Sequence, residues 1–203
     1  MKKPIIGLIA IAIILILTSC AATYKKINPP LIKYPVIDEA GTFTYQYDVI
    51  RRAGNIKLAK KELKAYMHVV AIKIYNNTGE TLEYGKNYKI FSGTQEAGLL
   101  GPEVTGDIVK QKSGYHLFYL LFTTMTINTD DGTGRGSSIP IGLALGPALA
   151  FGNMAVAATA NKRFRSELLE FDIENKVIAP GETVYGLITL RENGHLPLTL
   201  RMR

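Results

Sequence analysis

Apolar and polar residues begin to alternate near Thr42. Phe43, Tyr45, Tyr47 and Val49 alternate with Thr44, Gln46 and Asp48, the two-residue period of a half-buried strand. Arg51 to Asn55 reads as a turn and Ile56 to Lys64 as a short helical or irregular connection. Tyr66 to Tyr75 is rich in β-branched residues and runs into the turn sequence Asn76-Asn77-Thr78-Gly79, which predicts a strand and its end. Thr81 to Tyr84 and Tyr88 to Phe91 predict short strands, and Ser92 to Gly114 an irregular stretch with a helical turn after Pro102. Gly114 to Asn128 is apolar at every alternating position, so a strand there needs cover on both faces. Leu168 to Ile178, Thr183 to Arg191 and Leu196 to Met202 predict three more strands, separated by Pro180-Gly181-Glu182 and Asn193-Gly194.

About seven strands at short intervals resemble the pattern of an immunoglobulin-like β-sandwich. With one cysteine and no tryptophan, the chain lacks the Cys-Trp-Cys signature of true immunoglobulin domains, and an open barrel is the alternative. The expected fold is therefore mainly β, a sandwich over residues 42–203 with an Ala/Gly-rich helix inserted at about 129–167.

That insertion breaks the pattern. No charged residue lies between Arg135 and Lys162. Ala144, Ala148, Gly152, Val156 and Ala160 recur every fourth residue and lead into Phe164 and Leu168, a small-residue stripe that marks a candidate interaction helix. Pro147 suits a first helical turn, which predicts a helix from about Pro147 to Glu167. Two readings of residues 137–161 stand side by side: a cover for the doubly apolar strand, or a membrane-inserting or oligomer-forming element. Pro140, Pro147 and the polar Asn153 and Asn161 interrupt the run, and Ala and Gly gain little on transfer to lipid, which favours the cover.

The amino-terminal pattern concerns destination rather than fold. Lys2 and Lys3 precede an apolar run from Pro4 to Leu17 that is shorter than the roughly 20 residues of a comfortable membrane span, which describes a cleaved export signal over residues 1–19. Leu17-Thr18-Ser19-Cys20 resembles the lipobox of bacterial lipoproteins. The resemblance implies diacylglycerol on Cys20 through a thioether, cleavage after Ser19 and acylation of the new terminus, for instance by palmitate. Ala21 stands where an aspartate would resemble an inner-membrane retention signal, so the resemblance implies the outer membrane, with the body in the periplasm, or the exterior of the cytoplasmic membrane in a single-membrane source. Pro29, Pro30 and Pro35 make residues 20–41 read as an extended tether that is dispensable for folding.

Composition narrows the remainder. Of 203 residues, 47% are hydrophobic and 20% charged, enough to bury a core in one ordinary domain. Removing Lys2 and Lys3 from 24 cations leaves 22 against 17 acids, a mature charge of +5. That balance suits anionic lipid or a cell-wall polymer, and export argues against nucleic acid. Partners are therefore expected to be the membrane, through the lipid on Cys20, and an envelope protein or cell-wall component.

No motif identifies a reaction. His68, His116 and His195 are scattered, the first two in expected strands and the third in a turn, without HExxH or Cys/His spacing. There is no GxSxG elbow, and alkylation would consume the only thiol. Gly79 to Asn87 lacks the spacing and hydroxyl of a phosphate loop. Asn128, Asp130, Asp131 and the Gly132 to Gly136 run lack the geometry of a calcium loop, and read as a mobile connection. The expectation is a non-enzymatic structural or binding lipoprotein with no catalytic, cofactor or metal residues. A membrane-active or oligomer-forming accessory protein is the first alternative and an envelope hydrolase the second.

Overall fold

The computed structural model describes residues 21–34, 36–37, 42–130 and 136–203. The expected export signal and Cys20, residues 35 and 38–41 of the expected tether, and residues 131–135 lie outside the described residues. The chain divides into two compact units: Met1–Thr23 with Gln111–Ala160, and Tyr24–Lys110 with Asn161–Arg203. The first is called the apolar unit here and the second the body.

In chain order the strands are β1 (Val36–Ile37), β2 (Phe43–Gln46), β3 (His68–Tyr75), β4 (Leu82–Glu83), β5 (Tyr88–Ser92), β6 (Gln95–Glu96), β7 (Ile127–Asp130), β8 (Gly136–Ile139), β9 (Val177–Ile178), β10 (Thr183–Leu190) and β11 (Leu198–Met202). The α-helices are α1 (Val49–Arg52), α2 (Ile56–Lys64), α3 (Pro102–Val109) and α4 (Gly142–Glu170).

The body is built on an antiparallel sheet of order β1-β2-β3-β10, in which Tyr75 opposes Thr183 and His68 opposes Leu190. A second sheet has the order β11-β5-β6, and β4 pairs with β9. Alternation places Phe43, Tyr45, Val70, Ile72 and Ile188 of the first sheet in one core with Tyr88, Ile90 and Leu198 of the second. Val69 and Ala71, on the opposite face of β3, are fully buried as well, and α1 and α2 pack on that strand. The central strand therefore needs apolar residues at nearly every position, as its sequence His68–Ile74 supplies.

The antiparallel strands and the Ala/Gly-rich helix of the expected fold are present. The chain is nonetheless mixed α and β in several small sheets rather than mainly β, with no closed barrel among the described residues. Two local expectations change. Gly114–Thr124 is a 3-10 helix in place of a strand, so His116 is helical. Leu168 to Ile178 is mostly not a strand, because α4 continues to Glu170 on the buried side chains Phe164, Glu167 and Leu168 before the short β9.

The expected tether is also corrected from Tyr24 onward, because this segment is part of the body. Tyr24, Ile27 and Pro29 are buried. The buried carboxylate of Glu167 accepts from the Tyr24 hydroxyl, from the Ile27 amide at 3.1 Å and from the Asn28 amide at 2.8 Å. Asn55 accepts from the Lys25 amide at 2.8 Å and donates to its carbonyl at 2.7 Å, which is the pairing a strand neighbour would provide. Val36 and Ile37 then add β1 to the sheet edge beside Tyr45 and Thr44. Prolines limited this segment's own regular structure, but the body supplies partners for its amides.

One buried acid makes the body's stability depend on pH. Glu62 of α2 is 4% exposed and accepts the Val69 amide at 2.7 Å. Burial pushes its pKa from 4.5 up to about 7, opposed by the Val69 amide; Asp48 adds to the rise and Arg51 counters it. A raised carboxyl pKa means that the native state holds the proton more tightly, so the contribution is complete below 4.5 and is lost as pH rises through 7. Glu62→Gln keeps an acceptor and removes the charge. Urea unfolding should therefore show the variant gaining on the wild type between pH 5 and 8, by roughly 3 kcal/mol at the upper end. His68, whose pKa is lowered by burial and by His195, acts in both proteins and cancels from the difference.

Candidate functional site

The most distinctive surface belongs to the apolar unit. Its 3-10 helix Gly114–Thr124 has three residues per turn, so side chains three apart stand above one another. His116 and Tyr119 stack with ring centroids 6.0 Å apart, and Tyr119 and Phe122 at 6.2 Å. The i, i+3, i+6 spacing of these rings is the sequence signal that a strand reading of the same residues overlooks. Backbone hydrogen bonding joins Gly142 to Met125, and β7 pairs with β8 to form the connecting hairpin.

Glycines let α4 approach the 3-10 helix. A Cβ on Gly146 would lie 2.8 Å from Thr123 Cγ2 and 3.1 Å from the Tyr119 carbonyl oxygen, and one on Gly142 would meet the backbone of Phe122 and Met125. The buried face of α4 is Gly142, Gly146, Ala150, Ala157, Ala160, Phe164, Glu167 and Leu168. Of the expected stripe, Ala160 is buried and Val156 half-buried, while Ala144, Ala148 and Gly152 are exposed. The reason is geometric: four residues turn about 400°, so a strict fourfold repeat drifts about 40° per step and about 160° between Ala144 and Ala160. A buried face has to mix steps of three and four. Gly152 has nothing within 4 Å of where its Cβ would stand, so its small size serves no close contact.

The other faces are apolar and open. Phe118 is 66% exposed, Leu121 73%, Leu143 66% and Phe151 57%, and Tyr115, Leu117, Met125, Ile127, Ile139 and Leu145 are exposed with them. Residues 113–129 and 136–161 contain no Asp, Glu, Lys or Arg. These exposed apolar side chains are gathered on one unit, the pattern that interaction surfaces commonly present. By length and composition α4 can cross a membrane, and only 22% of its most apolar stretch is buried. The cover expected of residues 137–161 is thus partial: one face of the helix packs on the 3-10 helix, and the rest of it stays open.

The chain next to the expected lipid attachment meets this unit. The Ala21 amide donates to Asn153 Oδ1 at 2.9 Å, and Ala22 exchanges hydrogen bonds with Gln111 at 3.1 and 2.7 Å. Cys20 itself lies outside the described residues.

The body holds a cluster that sequence order concealed. Tyr47 stacks on His195 at 4.5 Å, and the rings of His68 and His195 meet edge to face at 4.8 Å. The Tyr47 hydroxyl shares its one proton between Glu192 at 2.9 Å and the Leu196 carbonyl at 2.8 Å, and Ser92 donates to the other Glu192 oxygen at 2.5 Å. Asp48 stands 3.5 Å from His195 Nε2. Burial and Glu192 push the Tyr47 pKa well up, which keeps it a neutral donor. With Ser92 committed to Glu192, this arrangement ties the end of β2 to the turn before β11, and no hydroxyl there donates to an imidazole. Among the described residues, no three His, Cys, Asp or Glu side chains have metal-binding geometry.

Comparison with protein families, with curated proteins and with solved structures finds no match to this chain.

Proposed function

We propose that this chain is a lipid-anchored protein of the cell envelope that acts without catalysis, as a structural or binding module, and that its apolar unit gives it a second hold on the bilayer. The observation that carries this reading is the open apolar surface of residues 114–160, with Phe118, Leu121, Leu143 and Phe151 all more than half exposed. Each such side chain gains on the order of 1.5–3 kcal/mol on full burial in an apolar phase, so four of them rival a fatty acyl chain in holding power. The uncharged part of α4, from Gly142 to Asn161, is about 20 residues, and at 1.5 Å per residue it spans about 30 Å, the thickness of a hydrocarbon core. Cations flank this run in the sequence, Arg135 before it and Lys162 and Arg163 after it, where anionic headgroups would attract them.

Lipidation at Cys20 fits the same surface, since the next residue, Ala21, is fastened to Asn153 of α4. Outer-membrane attachment with the body in the periplasm follows from Ala21 in the position after the cysteine. We read the two facing sheets of the body as an immunoglobulin-like module that presents a surface to an envelope protein or cell-wall component.

Mass spectrometry of the mature protein tests the anchor. A terminus at Cys20 carrying diacylglycerol is expected, and Cys20→Ala should accumulate as a longer, unlipidated precursor. An unmodified Cys20 in a chain still carrying Lys2 and Lys3 would remove the lipoprotein reading.

A further inference from the structure

We propose that the body carries a binding pocket for a phosphate group, formed where the segment after Tyr24 crosses α1. The cavity measures about 250 Å³ and is walled by Lys26, Lys33 and Arg52, with Ile27, Ile32 and Val49 among its apolar lining residues. Ile27 and Val49 are buried, while the three cations are exposed at the rim. No carboxylate lines it. The volume is just below the roughly 300–1,000 Å³ of sites for drug-sized molecules, which suits a headgroup-sized ligand.

What sets the pocket apart is that its cations have no carboxylate partner among the described residues. Elsewhere on the body Lys86, Lys89, Lys110 and Arg165 pair with Glu83, Glu96, Asp107 and Glu103. Lys26, Lys33 and Arg52 form no ion pair with a described carboxylate, although they share one cavity and repel one another there. An anion relieves that repulsion. Three cations around one cavity outmatch a single carboxylate charge and suit a phosphate, whose oxygens take the Arg52 fork and two lysine point charges together. Glu167, which fastens the same segment through the Ile27 and Asn28 amides, is not a lining residue. The apolar floor offers contact to carbons next to the phosphate, either the glycerol of a lipid headgroup or the skeleton of a soluble phosphate ester.

The inference is independent of lipidation and of the apolar unit, so the test uses the full chain in maltoside micelles, which contain no phosphate. Titration calorimetry with inorganic phosphate, glycerol 3-phosphate and dihexanoyl phosphatidic acid should show saturable binding. Lys33→Gln and Arg52→Gln should each weaken it about tenfold or more, as loss of one charge-assisted contact does. Lys86→Gln, outside the pocket, should leave it unchanged, and Lys33→Arg should retain it. Near-UV circular dichroism confirms that each variant is folded. Clearly tighter binding of the phosphatidate than of glycerol 3-phosphate identifies a lipid headgroup, and equal binding a soluble ester; both support the pocket. Absence of saturable binding for all three probes, or binding that survives Lys33→Gln with Arg52→Gln in one folded chain, overturns it.

Discussion

Glu167→Ala is expected to destabilise the body by about 3–5 kcal/mol, because it leaves the Tyr24 hydroxyl and the Ile27 and Asn28 amides without their acceptor in a buried setting. At this chain length the loss corresponds to a fall in melting temperature of roughly 10 °C. Glu167→Gln should fall between the two proteins, since its carbonyl oxygen still accepts but its amide group faces donors. Tyr24 also packs edge-on against Phe164 at 5.6 Å, so loosening the segment exposes an aromatic contact of α4. Deleting residues 21–34 should cost at least as much as the point substitution. Thermal unfolding followed by circular dichroism reads both, and unchanged transitions would mean that the segment is a tether after all.

Gly186→Val should cost about 3 kcal/mol or more. Gly186 lies in the middle of β10 opposite Ile72, where glycine is a poor strand residue and needs a reason. The reason is space: a Cβ there would run into Ile173 Cγ2 and stand 3.1 Å from Ile72 Cγ1, and both neighbours are fixed core side chains. Overpacking of this kind typically costs about 1–3 kcal/mol, and valine adds two methyl groups beyond the Cβ. Gly186→Ala should lose less. Urea midpoints give the order wild type, alanine, valine; a valine variant with the wild-type midpoint would mean that Ile173 can move aside.

Strands rich in β-branched and aromatic residues and bounded by turn signals were readable in the sequence: Phe43–Gln46, His68–Tyr75, Thr183–Leu190 and Leu198–Met202 all form near their expected bounds, although β2, β3 and β10 are buried on both faces rather than alternately. The 3-10 helix was not, because all but one of residues 115–122 are apolar, so that both alternating faces read as strand, and the three-residue spacing of His116, Tyr119 and Phe122 is the one faint sign of a short-pitch helix. The helix α4 was legible in place but not in facing. Small residues every fourth position drew attention to Ala144, Ala148 and Gly152, whereas Gly142 and Gly146 make the close approach. Pro147 was expected at the helix start and lies inside it, one turn after Gly142. Proline counts gave residues 24–34 the look of a tether because their partners, Asn55 and Glu167, are distant in sequence. His68 and His195 looked isolated for the same reason, with their shared contact to Tyr47 visible only in the fold. The cationic pocket likewise needs the crossing of Lys26 and Lys33 over Arg52, which no linear spacing announces.

The chain contains no tryptophan, so a single introduced indole reports its own surroundings without background. The most direct test of a bilayer-seated apolar unit places that indole at Phe118 or Phe151, and at Tyr66 on the body as the control, in the full lipidated protein reconstituted into phosphatidylcholine and phosphatidylglycerol vesicles. Phe118→Trp and Phe151→Trp are expected to emit to the blue of an indole in water and to be quenched by lipids brominated along the acyl chain, while Tyr66→Trp is quenched only by aqueous iodide. Water-like emission from Phe118→Trp and Phe151→Trp, quenched by iodide and indifferent to brominated lipid, would contradict a second hold on the bilayer.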